Sequence, residues 1–175
     1  MNVIGLDLSI TATGICADNG TCFTTGGASK LGDRRLQVIT GAVEEMFTVY
    51  GELYDSMVKV DLVVIEDIPT HAHGAGITAM VHGAVRLRLL DWSIPYALVP
   101  PATLKKYATG KGNAGKPEMA VALYKRTGLE LADDNQVVAW WLRCAGLDAL
   151  GHAPVVLPEA QRAALSKVEW PAVGS

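Results

Sequence analysis

The sequence predicts an α/β domain on a mixed five-stranded sheet: a three-stranded antiparallel meander plus parallel strands, flanked by helices. Three observations predict it. The chain opens on an apolar run, Val3-Ile4-Gly5-Leu6, and two short β-prone segments follow around Asp18-Asn19-Gly20. A second buried run, Leu62-Val63-Val64-Ile65, comes after a long helical period. A third, Pro95 to Val99, comes after another. Strands separated by helices of this length return parallel to one another.

Size and composition narrow the class. The chain has 175 residues, half of them hydrophobic, and a mean hydropathy of +0.24. That is enough for one domain with a core. We expect residues 1–150 to form it, with 151–175 a tail packed on it or extending from it. No apolar run approaches the length of a membrane span, and the first residues lack the pattern of a signal peptide. A cytoplasmic protein without a membrane partner is expected. Cys16, Cys22 and Cys144 make no CxxC or Cys/His ligand pattern, so core or surface thiols are expected rather than a disulfide frame or a zinc site. The net charge of −3 is unusual for a nucleic-acid binder, yet Lys105, Lys106, Lys111 and Lys116 fall close together. Several acids would be neutralised by divalent cations.

Each element can be justified in order. The first strand carries Asp7 at its end, and Ser9, Thr11, Thr13 and Gly14 form a small-residue turn before the next strand. A carboxylate in a buried strand is costly unless paired, and a metal ion is the usual solution. The alternative is that Asp7 caps the turn at Ser9 and Thr11. Asn19-Gly20 is a strong hairpin signal between Ile15–Ala17 and Thr21–Thr25. Leu36, Ile39, Val43, Met46, Phe47, Tyr50 and Tyr54 predict one amphipathic helix from Leu31 to about Tyr54.

The second buried strand again ends in acid, Glu66-Asp67. Lying parallel beside the first, it would set Glu66 near Asp7, and two such carboxylates repel unless a cation lies between them. His71-Ala72-His73 could offer a metal ligand pair, but nothing else is in phase with it. Ile77 to Trp92 predicts a helix apolar around much of its circumference: one face for the sheet, the other a candidate homodimer interface. After the strand ending at Val99, Ala102 to Tyr107 predicts a short helix. Thr109 to Lys116, TGKGNAGK, does not fit the P-loop spacing and is read as a mobile cationic loop suited to a phosphate backbone. A helix follows to about Thr127. Asp133 with Gln136 fits a capping box for a helix running to about Ala145. Two adjacent aspartates are more than a cap requires. Pro158 to Ser166 could form a short helix, with Trp170 anchoring the end.

The acids are hard oxygen donors, which suits Mg2+ or Mn2+. Carboxylates on both sides of a site can hold two such ions about 4 Å apart, the arrangement for attack of water on a phosphodiester. Four motifs then carry a family resemblance: GLDLSITATG, VVIEDIP, PPATLKKYATGKGNAGK and DDNQVVAWWL. Together they resemble the RuvC family of Holliday-junction resolvases, within the RNase H-like fold, over residues 2 to 146. The tail LPEAQRAALSKVEWP is similar to the bacteriophage branch, which would place the protein in a host bacterial cytoplasm.

The resemblance implies a homodimeric endonuclease that cuts branched DNA and uses no nucleotide cofactor. It implies Asp7 bridging the two metal ions, with Glu66 and Asp134 on either side and Asp133 as a further ligand. It implies DNA contacts at Lys105, Lys106, Lys111 and Asn113, with Lys116 near the scissile phosphate. The catalytic set is then Asp7, Glu66, Asp134 and Lys116.

The sequence departs from the pattern at one place. Phage members carry a second Asp four residues after the first, and here that place is Val138. Gln136 replaces an intervening acid. Either Asp133 and Asp134 complete the site, or water replaces the missing ligand with weaker metal binding, or the protein binds branched DNA and cuts it poorly. A sugar-kinase- or actin-like ATPase is disfavoured because it needs two such domains. Another RNase H-like nuclease, acting on hybrids or flaps, remains an alternative.

Overall fold

Alternation along the first strand divides the molecule into two cores. The structure, a computed structural model, describes residues 1–49, 56–57, 59–68 and 75–173. In chain order these form β1 (Val3–Asp7), β2 (Thr13–Cys16), β3 (Cys22–Thr25), α1 (Arg34–Glu44), β4 (Thr48–Val49), β5 (Ser56–Met57) and β6 (Leu62–Glu66). Then come α2 (Ala75–Asp91), β7 (Tyr96–Val99), α3 (Pro101–Thr109), α4 (Lys116–Thr127), α5 (Asp134–Ala149) and the short α6 (Glu159–Arg162). The main sheet has the order β3-β2-β1-β6-β7. Strands β1, β2 and β3 pair antiparallel, whereas β1–β6 and β6–β7 pair parallel.

Successive strand residues face opposite sides. Val3, Cys16, Leu62, Val64, Ala97 and Val99 therefore pack with α3, α4 and α5 in one core. Ile4, Leu6, Ile15, Val63 and Ile65 pack with Ile39 and Val43 of α1 and Val81, Val85 and Leu89 of α2 in the other. On the first face, α5 lies directly against the strands. A Cβ on Gly5 would come within 2.0 Å of Ala139 O, and one on Gly14 within 2.2 Å of Asn135 O. Glycine in a strand here admits another backbone. Gly14 was expected in the turn; it lies inside β2, and the turn is closed by Thr13. The Thr13 hydroxyl donates to Ser9 O at 2.6 Å, and Ser9 N–H donates back to Thr13 Oγ1 at 3.0 Å.

Two helix expectations are corrected. The helix expected from Leu31 to Tyr54 is a 3-10 turn at Ser29–Leu31 followed by α1, which ends at Glu44. Met46 and Phe47 N–H close tight turns onto Val43 O and Glu44 O. Fully buried Phe47 sets its ring edge-on to Trp92 at 5.4 Å. The β-branched Thr48 and Val49 then pair in a two-stranded ribbon. Tyr50 and Tyr54 lie outside the described residues. At the other end, α5 runs one turn beyond Ala145 to Ala149.

The tail docks on α3 and α5. Gln161 Nε2 donates to Tyr107 O at 2.7 Å, and Val155, Leu157, Leu165 and Val168 join the first core. Among the described residues no helix is long and apolar enough to cross a membrane.

Candidate active site

The parallel register decides where the two strand-end acids meet. Val3 lies beside Leu62 and Leu6 beside Ile65. Asp7 and Glu66 are the next residues of their strands, on the α5 face by the same alternation as Val3-Gly5 and Leu62-Val64. Both are half-buried, and neither side chain has a hydrogen-bond partner among the described residues. Asp7 therefore does not cap the turn at Ser9 and Thr11, which Thr13 closes instead.

Electrostatics mark this pair as uncompensated. Burial, and then the neighbouring acids, push the Asp7 carboxyl up to about 6, against the pull of Lys116. Burial, and then Asp7 itself, push Glu66 up to about 8, against Lys105 and Lys116. Two carboxylates that resist ionising together are matched by a multivalent cation.

The N-terminus of α5 completes the rim. Asp133 is its N-cap: Oδ1 accepts from Asn135 N–H at 2.9 Å and Gln136 N–H at 3.0 Å. The Thr24 hydroxyl donates to Asp133 Oδ2 at 2.6 Å. Burial alone would raise the Asp133 carboxyl, but these hydrogen bonds outweigh it and hold it below the usual range. Asp133 thus serves the cap and the sheet edge. Asp134 is exposed and faces Lys116, whose Nζ lies 3.5 Å from Asp134 Oδ2. Val138, one turn along, is only 5 % exposed and packs in the apolar core.

Lys116 is the first residue of α4. The loop before it is hydrogen-bonded at both ends. Lys111 N–H donates to Thr109 Oγ1, Ala114 is buried, and Gly115 N–H donates to Glu118 Oε2 at 2.7 Å. Lys105 reaches Glu66 electrostatically, and Lys116 reaches both Glu66 and Asp7. Lys106, Lys111 and Asn113 are exposed. Lys111 instead lines a groove of about 480 Å³ with Thr109, Glu118, Lys125 and Arg126. Lys125 and Arg126 were not among the sequence candidates; their helical spacing from Lys116 carried no signal that one groove would gather them. His71 and His73 lie outside the described residues. Among those described, no cluster of three or more His, Cys, Asp or Glu side chains is gathered tightly enough to hold a metal ion by itself.

The comparisons with known proteins agree with the topology. No family profile matches the chain. The Thermus thermophilus RuvC structure superposes with a TM-score of 0.66 at 20% identity, covering 89% of this chain and 100% of that one. T. thermophilus RuvC in complex with a Holliday junction substrate matches with the same score and identity, over 89% of this chain and 99% of that one. The fold is therefore RuvC-like, of the RNase H-like class.

Proposed function

We propose that the protein is a divalent-metal-dependent endonuclease acting on branched DNA such as a four-way junction. The observation that carries this reading is the Asp7–Glu66 pair, brought together by register, half-buried and without a hydrogen-bond partner among the described residues. A solved RuvC of the same fold is complexed with a Holliday junction.

Oxygen donors of this kind fit Mg2+ or Mn2+. Asp7 and Glu66 would hold the ion or ions, and Asp134 would add a ligand from α5. When bound, such an ion lowers the pKa of its water and neutralises charge at the phosphate. Lys116 would pair with that phosphate and stabilise the charge that develops on it. Its ion pair with Asp134 is exposed on both sides, 56% and 54%, so it is weak and free to exchange partners. Lys105 would neutralise the strand end nearest Glu66. Lys111, Lys125 and Arg126 offer a cationic path for the backbone beyond the site. On the opposite face of the molecule, Ile77, Met80, Leu87 and Leu90 of α2 form an exposed apolar stripe that we assign to a homodimer contact.

A second reading, a junction-binding protein with little turnover, is favoured by one observation. The place of the family's later acid is a buried valine, and Asp134 is engaged by Lys116. Both readings are separated by one assay. A labelled four-way junction is incubated with Mg2+ and then Mn2+, with Asp7→Asn alongside and gel-shift binding in parallel. Paired symmetric nicks that vanish in Asp7→Asn establish the nuclease. Binding without nicks in either metal establishes the recognition protein.

A further inference from the structure

We propose that Cys16 and Cys22 form a redox site, a cross-strand dithiol that peroxide converts reversibly into a disulfide. The proposal is independent of the nuclease reading, because it rests on the β2–β3 hairpin alone. Cys16 and Cys22 are direct partners across the two strands. Ala17 N–H donates to Thr21 O at 2.9 Å, so that pair is hydrogen-bonded. Antiparallel alternation then makes Cys16/Cys22 a non-hydrogen-bonded pair, the kind whose Cα atoms approach to about 4.5 Å. That spacing lies at the short end of the range of about 4.4–6.8 Å that a disulfide spans. The two sulfurs are already 2.6 Å apart.

The two thiols have different roles. Cys16 is fully buried, whereas Cys22 is half-buried and reachable from solvent. The hydrogen bond with Cys16 lowers the Cys22 thiol, burial opposes it, and the nearby Arg143 cation lowers it further. Arg143 is fixed by a hydrogen bond from Nη2 to Asp18 O in the hairpin turn, and its buried Nε has no hydrogen-bond partner among the described residues. Peroxide meets the Cys22 thiolate first. One oxygen passes to sulfur, giving a sulfenic acid and hydroxide. The Cys16 sulfur then attacks the Cys22 sulfur. The S–O bond breaks, and the departing oxygen takes the Cys16 proton as water. In sum, two thiols and one peroxide give one disulfide and two waters. A dithiol reductant reverses it by exchange.

The test uses the full chain. The protein is treated with stoichiometric hydrogen peroxide, its free thiols are alkylated under denaturing conditions, and it is digested without reductant by a protease that cuts before Asp. That cleavage separates Cys16, in Asp7–Ala17, from Cys22, in Asp18–Gly32. The expected result is these two peptides linked, with alkylatable thiols falling from three to one and returning to three with dithiothreitol. Cys22→Ser is expected to lose the linkage. Linkage of either cysteine to Cys144 or to a second chain overturns the proposal. So do three alkylatable thiols after peroxide, or sulfinic and sulfonic products at Cys22 with no linked peptide.

Discussion

Asp148 and the pair Asp7/Glu66 project from elements of one core layer, yet their surroundings are opposite. The Asp148 side chain is 2% exposed. It accepts from Arg162 Nε at 3.0 Å to both oxygens, from Arg162 Nη2, and from the Tyr107 hydroxyl at 3.2 Å. Asp7 and Glu66 are more open and have no such partners. A carboxylate that the fold needs comes with its hydrogen bonds supplied by the chain. A pair left to repel at the end of two parallel strands, without such bonds, fits the cation we propose there. Burial by itself therefore does not separate a structural acid from a functional one; the partner inventory does.

The largest effect that can break this comparison is metal-linked. At a Mg2+ concentration about a hundred times its Kd, wild type should gain about 2.7 kcal/mol. That is a rise of roughly 5–10 °C in Tm for a chain of this size. In Asp7→Asn the rise should be absent and junction cleavage should fall by about 10³-fold, ~4 kcal/mol of transition-state stabilisation. The metal-free variant should be no less stable than wild type, because one of two repelling charges is gone. Scanning fluorimetry with and without Mg2+ reads both; a destabilised Asp7→Asn without metal would put Asp7 in the same class as Asp148.

Asp148→Ala is the converse. It strips Tyr107 and Arg162 of a buried, charged acceptor and should cost about 3 kcal/mol in a urea titration. Metal response should be unchanged. An additional loss of the Mg2+ shift would mean the two regions are coupled through α5.

Val138→Asp adds an acid to the layer that now has none at that place. Without metal the variant should lose about 2 kcal/mol, because a carboxylate enters the apolar core. With Mg2+ its affinity should exceed that of wild type by about tenfold, and isothermal titration measures it. Equal affinities would mean Val138 does not border the metal position.

How much of this was legible depends on the range of the interaction. Two apolar runs ending in acid, separated by a helix, were enough to bring Asp7 beside Glu66, because a strand after a helical crossover tends to return parallel and adjacent to the first. The close approach of α5 over Gly5 and Gly14 was not legible, since Gly14 reads as part of the turn; a glycine inside a strand marks close backbone approach, but not which backbone. The end of α1 was not legible, since Met46, Phe47, Tyr50 and Tyr54 continue the helical period. Asp148 was hidden because its partner Arg162 arrives through the fold of the tail. The thiol pair turned on loop length. Asn-Gly alone signals a two-residue turn. The three-residue loop Asp18-Asn19-Gly20, with Gly20 at φ +87°, sets the register that opposes Cys16 to Cys22.

The smallest effect tests the comparison on the other face, with a base in place of an acid. His82 of α2 is 3% exposed, and its Nδ1 has no hydrogen-bond partner among the described residues. Burial lowers its pKa below the ordinary 6.5; Asp67 opposes that and Arg86 adds to it. Below about 6.5 the unfolded chain therefore binds a proton that the folded chain resists. Stability contributed by neutral His82 is present above that pH and is lost as pH falls through the window beneath it. His82→Leu keeps the volume and removes the titration. Its stability should exceed that of wild type at pH 5 by more than at pH 8, in paired urea titrations. An equal difference at both pH values would mean that solvent or Asp67 satisfies the imidazolium. The unpartnered group would then be as well compensated as Asp148, and partner inventory would need charge at longer range added to it.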